Sequence, residues 1–187
     1  MMSKIGAEPG YMDHSKYSEN YIRGILDTVR TIALLGASAK EVRPSFLVQK
    51  YMQEKGYRVI PVNPGLAGQE ILGESVYASL SDIEEPIDMV DIFRNSEAAL
   101  DITREALKLS PLPRVIWMQL SVENEAAAKL AEDAGIKVVM NRCPKMEYGK
   151  LSGEWGWMGA YSGRITAKKG QMTGNRVQSL GINQQKS

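Results

Sequence analysis

Residues 36–45, Gly-Ala-Ser-Ala-Lys-Glu-Val-Arg-Pro-Ser, bring a turn residue, two hydroxyls and two cations together just after the apolar run Thr31 to Leu35. That set suits an anion. Gly36 permits a sharp turn, Ser38 offers a hydroxyl, and free N–H groups opening a helix around Arg43 to Phe46 would attract a phosphate with the help of the helix dipole. Arg43 adds a guanidinium fork that matches phosphate oxygens. The plainer alternative is a glycine that only turns the chain, beside a solvated arginine. A dinucleotide fingerprint would need G-x-G-x-x-G here and an acid at the end of the second strand for a ribose hydroxyl. This chain has G-A-S-A-K-E and Val62-Asn63-Pro64 instead, so NAD is disfavoured twice. A P-loop fails as well, because no Gly-Lys-Ser/Thr follows.

Few other residues suit covalent or acid–base work. His14 is the only histidine and lies in a stretch containing Gly and Pro, so neither a Ser-His-Asp arrangement nor a phosphohistidine route has a suitable imidazole. Glu84-Glu85 and Glu132-Asp133 fall in linkers and helix faces, where solvated surface charge is the ordinary explanation. Cys143 is the single cysteine. It excludes an intramolecular disulfide and a multi-cysteine metal site, and no metal is expected. Arg142 and Lys145 are close enough in sequence to lower its thiol pKa if they point the same way; the simpler reading is a packed structural cysteine.

The elements that must position these residues follow from periodicity. Residues 1–16 read as a flexible leader. Tyr17, Tyr21, Ile25 and Val29 recur at helical spacing. Thr31 to Leu35 has the continuous apolar character of a strand buried on both faces. Pro44 suits the first turn of the next helix, which ends at Gly56. Further strands are expected in "YRVIPVNP" (57–64), "IDMVDIF" (87–93), "RVIWMQL" (114–120) and "IKVVMN" (136–141). Residues 65–86 are turn-rich, with two or three short elements. Ser96 is the expected N-cap of a helix reaching Leu109, with Glu97 in its first turn, and "VENEAAAKLAEDAG" (122–135) is another helix. Alternation at these lengths predicts an α/β fold: a Rossmann-like, doubly wound parallel sheet of about five strands in three αβα layers. The domain is expected over 17–148. Beyond it lies a glycine-rich extension, 149–187, that is either disordered or docks Trp155, Trp157 and Tyr161 on the domain or on a second subunit.

Composition narrows the setting. With 43% hydrophobic residues and 23 basic against 22 acidic residues, the chain reads as globular, and it carries no broad basic footprint for nucleic acid. No apolar stretch approaches the roughly 20 residues of a membrane helix, and the first residues lack a signal-peptide core. A cytoplasmic protein is expected, without a membrane or nucleic-acid partner.

"IALLGASAKEVRPS", "GYRVIPVNP", "ILGESVYASLSDI", "IDMVDIFRNSE", "VIWMQ" and "AGIKVVMNRCPKMEY", in that order, resemble the small stand-alone CoA-binding-domain proteins of bacteria and archaea. Similar domains form the N-terminal part of the succinyl-CoA synthetase alpha subunit and of NDP-forming acyl-CoA ligases. The resemblance spans roughly residues 20 to 150 and implies a Rossmann-like domain that binds coenzyme A or an acyl-CoA. Position by position, it implies that Gly36, Ala37 and Ser38 contact CoA phosphate with Arg43 and Ser45 close by, and that Asn63 and Pro64 border the nucleotide. Phe93, Arg94 and Asn95 would flank the adenine and pantetheine portions, and Gln119 would lie near the thiol arm. Lys40, Arg43 and Arg94 are the cations available to the diphosphate and 3′-phosphate.

The chain departs from the family's pattern at Leu66, where a basic residue commonly follows the turn. It departs again at Gln119-Leu120-Ser121, where Gln-x-Gly is common, and at Asn141, where Asp is usual; a family histidine near Tyr148 is missing too. The resulting expectation is a non-catalytic CoA binder acting as sensor, carrier or enzyme partner, with a homodimer as one arrangement. The alternative is the CoA-binding subunit of a split acyl-CoA ligase whose phosphohistidine lies on another chain.

Overall fold

The computed structural model describes residues 11–154; Trp155, Trp157 and Tyr161 lie outside them. Five parallel strands make one sheet: β1 (Thr31–Leu35), β2 (Arg58–Val62), β5 (Met89–Ile92), β6 (Val115–Met118) and β7 (Lys137–Val139), in the order β2-β1-β5-β6-β7. A two-stranded antiparallel piece, β3 (Glu70–Ile71) with β4 (Glu74–Ser75), and two short 3-10 turns, Pro64–Leu66 and Leu80–Asp82, fill the segment after β2. Pro61 sits in β2, an edge strand, where a missing N–H is tolerated.

Strand alternation divides the core into two layers. Ile32 and Leu34 of β1 pack with Val59, Met89, Trp117 and Val139 under α1 (Glu19–Thr28), α2 (Pro44–Glu54) and α5 (Pro144–Leu151). Ala33 and Leu35 pack with Ile60, Val90, Ile116 and Val138 under α3 (Ser96–Ala106) and α4 (Glu125–Asp133). Alanines at 99, 106, 127, 128 and 131 are fully buried, which lets α3 and α4 lie close to the sheet. The expected α/β Rossmann-like fold with three layers is the observed one.

Three local readings are corrected. The side chain that caps α3 is Asn95, accepting from Ala98 N–H at 3.1 Å, and Ser96 is the first helical residue; Asn and Ser are near-equal caps, and one residue's shift separates them. This helix ends at Ala106 rather than Leu109, its last residues tightening into a turn before Pro111. A further helix that the periodicity does not predict, α5, crosses the expected boundary between the domain and the glycine-rich extension. Its buried Gly149 and mixed faces conceal it, although Pro144 opens it as Pro44 opens α2.

Of the expected leader, residues 11–16 are described, and they lie along α4. His14 Nδ1 meets the Tyr17 hydroxyl at 2.8 Å and Nε2 faces Glu132 at 3.2 Å. Tyr17 and Tyr21 then reach the outer edge of β7: the Tyr17 hydroxyl oxygen accepts from Met140 N–H at 2.7 Å, and the Tyr21 hydroxyl donates to Val138 O at 3.1 Å.

Candidate functional site

The chain leaves β1 toward β2 on one side, yet returns to β5 on the other, so the strand order reverses between β1 and β5. Ligand crevices in open parallel sheets form at the carboxyl ends of such a pair. Here the two flanking loops are Gly36–Arg43 and Phe93–Asn95. Gly36 has φ +89°, and a Cβ there would lie 2.5 Å from Phe93 O and 3.2 Å from Arg94 Cδ. Only glycine lets the two loops approach this closely.

A recess of about 640 Å³ opens between them. Nine expected residues line it: Gly36, Ala37, Ser38, Lys40, Arg43, Ser45, Asn63, Phe93 and Arg94. Pro64 lines an adjoining recess of about 310 Å³, which shares Gly36, Asn63 and Arg94 with the first. Asn95 and Gln119 line neither; Asn95 caps α3, and Gln119 is buried against Asp91. Pro44, Gly65 and Leu66 also line the larger recess without having been expected there, as do Leu35, Val62, Ala78, Ser79, Ala98, Asp101, Ile102 and Glu105 in the smaller. The last four recur at spacings of three and four on α3, a stripe that could have marked them.

The backbone of the loop divides its labour. Gly36 and Ala37 both donate their N–H groups to Val62 O, at 3.0 Å and 3.3 Å, and so pin the loop to the end of β2. Asn63 tightens the same corner: its Nδ2 donates to Ala37 O at 2.8 Å while its Oδ1 accepts from Gly65 N–H at 2.9 Å. The acid of a dinucleotide binder is thus replaced by a residue that welds two loops. What remains open is the start of α2. Arg43 caps it without a side-chain hydrogen bond, and the first backbone bond is Leu47 N–H to Arg43 O. The Ser45 and Phe46 N–H groups have no acceptor among the described residues, and they add the helix dipole to the recess.

Charge is distributed to match. Lys40, Arg43 and Arg94 are exposed and make no ion pair among the described residues, whereas Arg58, Arg104, Arg114 and Arg142 each face a carboxylate. Arrangements of this kind bind polyanions through N–H groups and cations together. Nucleophilic chemistry finds less support. Cys143 caps α5 and is buried, and burial pushes its thiol pKa up, with the nearby Asp91 charge adding to the rise; Lys145 opposes this only weakly. The packed structural cysteine is the reading the structure favours, over activation by Arg142 and Lys145. His14 stands at the β7 edge, at the far side of the sheet from β2.

Asp91 is fully buried in β5, and its carboxyl pKa is pushed up to about 8 by loss of water, partly offset by the Gln119 amide.

Comparison with known proteins gives these features a setting. The family model described as "CoA binding domain" matches residues 30–149. The Bacillus subtilis (strain 168) protein YneT is 37% identical over 131 residues, covering 70% of this chain and 94% of that protein. A solved structure from Thermus thermophilus is 39% identical with TM-score 0.68, covering 72% of this chain and 99% of the other. At the level of fold alone, the chain is similar to the dinucleotide-forming acetyl-coenzyme A synthetase 1 of Ca. Korarchaeum cryptofilum (19% identity, TM-score 0.53, 64% of this chain and 27% of that one). The matched span begins one residue before β1 and runs into α5, taking in both loops of the crevice: the chain belongs to the CoA-binding-domain family.

Proposed function

We propose that the protein binds coenzyme A or an acyl-CoA in the crevice between β1 and β5, without catalysing a reaction on it, as a cytoplasmic sensor, carrier or enzyme partner. The observation that carries this reading is the trio Lys40, Arg43 and Arg94, unpaired among the described residues and gathered around one recess at the open end of α2. CoA has a diphosphate and a 3′-phosphate, and three cations with free N–H groups meet that charge. Asn63 and Pro64 border the nucleotide, and Phe93 offers a flat apolar surface beside it.

Titration calorimetry with CoA, acetyl-CoA and NAD tests the reading. CoA and acetyl-CoA are expected to bind and NAD to give no heat; no CoA binding at millimolar ligand would sink it. A ligase role would require a phosphohistidine from another chain, because His14 is held at the β7 edge by Tyr17 and Glu132. Co-purification of a phosphohistidine-bearing partner would establish that second reading, and a partner-free homodimer would count against it.

A further inference from the structure

A carboxyl group in the middle of a sheet needs a partner. Asp91 is 1% exposed and Gln119, the residue after β6, is 5% exposed. Gln119 Nε2 donates to both carboxyl oxygens of Asp91, at 2.9 Å and 3.1 Å. By register the residues beside Asp91 are Leu34 on β1 and Trp117 on β6, both uncharged. From α5, Cys143 is the titratable group that feels its charge.

This contact uses one end of an amide. With the nitrogen turned inward, Oε1 is turned away from Asp91. Gln119 N–H continues the ladder to Ile92 O at 3.3 Å, so Gln119 stands next to Phe93, and alternation from Trp117 and Asp91 puts both on the same face of the sheet. Phe93 lines the larger recess. Gln119 lines no part of that recess but sits beside it, one strand further along the carboxyl edge and away from the phosphate end.

The two forms of Asp91 ask different things of Gln119. An ionised carboxylate only accepts, so it holds the amide nitrogen and leaves Oε1 outward, as observed. A protonated carboxyl both donates and accepts, so it pairs with a primary amide through both ends and draws Oε1 inward. We propose that Asp91 is a positioning residue for the ligand: its charge state selects whether Gln119 presents an amide oxygen at the end of β6, and so whether the N–H groups of a pantetheine arm meet an acceptor there. This rests on the CoA reading above. Burial places the changeover at about pH 8.

The test compares two ligands. S-methyl-CoA carries the arm without an ionisable thiol, and adenosine 3′,5′-bisphosphate lacks the arm. Their affinities are measured by calorimetry from about pH 7 to about pH 9.5, a range spanning the changeover. For the unmodified protein the affinity ratio in favour of S-methyl-CoA should rise about fivefold with pH, the size of one hydrogen bond. It should stay flat in Asp91→Asn and in Gln119→Met. A flat ratio in the unmodified protein, or an equal rise in Asp91→Asn, overturns the proposal. The side-chain amide NMR signals of Gln119 in the unliganded protein give a second readout that needs no variant to fold. They should shift with the titration of Asp91, and signals that stay constant overturn the proposal. If neither compound binds, the CoA reading falls and this one with it; if both bind with a flat ratio, only this one fails.

Discussion

At the carboxyl ends of β1 and β5, Lys40, Arg43 and Arg94 stand around an open recess without carboxylate partners among the described residues. At the carboxyl ends of β6 and β7, the polar side chains have partners within the fold. Gln119 is held by Asp91, Asn141 bridges Ser121 N–H and Glu123, and Asn124 donates to Ser96 O while capping α4 through Ala127 N–H. The two ends of one sheet edge thus treat their polar side chains oppositely, cations left open at one end and amides tied down at the other. Hydrogen bonds made inside the fold stabilise it, and groups left without partners are what a ligand can recognise.

Four changes would break or sharpen that contrast. On the closed side, Asp91 keeps its proton in the folded chain up to about pH 8, whereas the unfolded chain releases it in the ordinary carboxyl range. Stability should therefore fall as pH rises toward 8, by about 1.4 kcal/mol per pH unit, or about 4 kcal/mol from pH 5 to pH 8, and level off above it. Urea denaturation across that range should show the slope, and Asp91→Asn should flatten it.

Gly36→Ala attacks the join between the loops. A left-handed φ and a 2.5 Å approach to Phe93 O should together cost about 3 kcal/mol in a denaturation midpoint, with CoA binding lost as well. Arg43→Ala belongs to the open side only. It should leave stability unchanged and weaken CoA binding by about 2 kcal/mol, less so in high salt. The smallest effect is a gain. Ser121 holds φ +66°, a left-handed conformation that suits glycine, so Ser121→Gly should stabilise the fold by about 1 kcal/mol without touching CoA affinity.

Much of this was legible in the residues. The strands announced themselves as apolar runs, and Pro44, Gly56 and Asn63-Pro64 punctuated them, because a covered parallel sheet leaves few other ways to place such runs. Nine of the twelve expected ligand residues share one recess, since the loops after adjacent strands must meet. What stayed hidden depended on pairs far apart in sequence. An aspartate inside "IDMVDIF" signals a buried carboxyl, but its partner lies 28 residues on. Asp101 and Glu105 face the smaller recess only because the fold brings Asn63 and Ser79 opposite α3. The cap of α3 was off by one position for the opposite reason: neighbouring Asn95 and Ser96 are both good caps, and only the backbone chooses.

The phenols of Tyr17 and Tyr21 carry a consequence for solution behaviour. β7 is an edge strand, and its outward-facing Val138 O and the Met140 N–H just beyond it would otherwise form a template on which a strand from another molecule could add. Two side chains from a segment far earlier in sequence hem that border. A chain trimmed to begin after residue 17 would keep its cleft and lose half of the hem, and light scattering on warming should reveal strand-mediated aggregation that the longer chain resists.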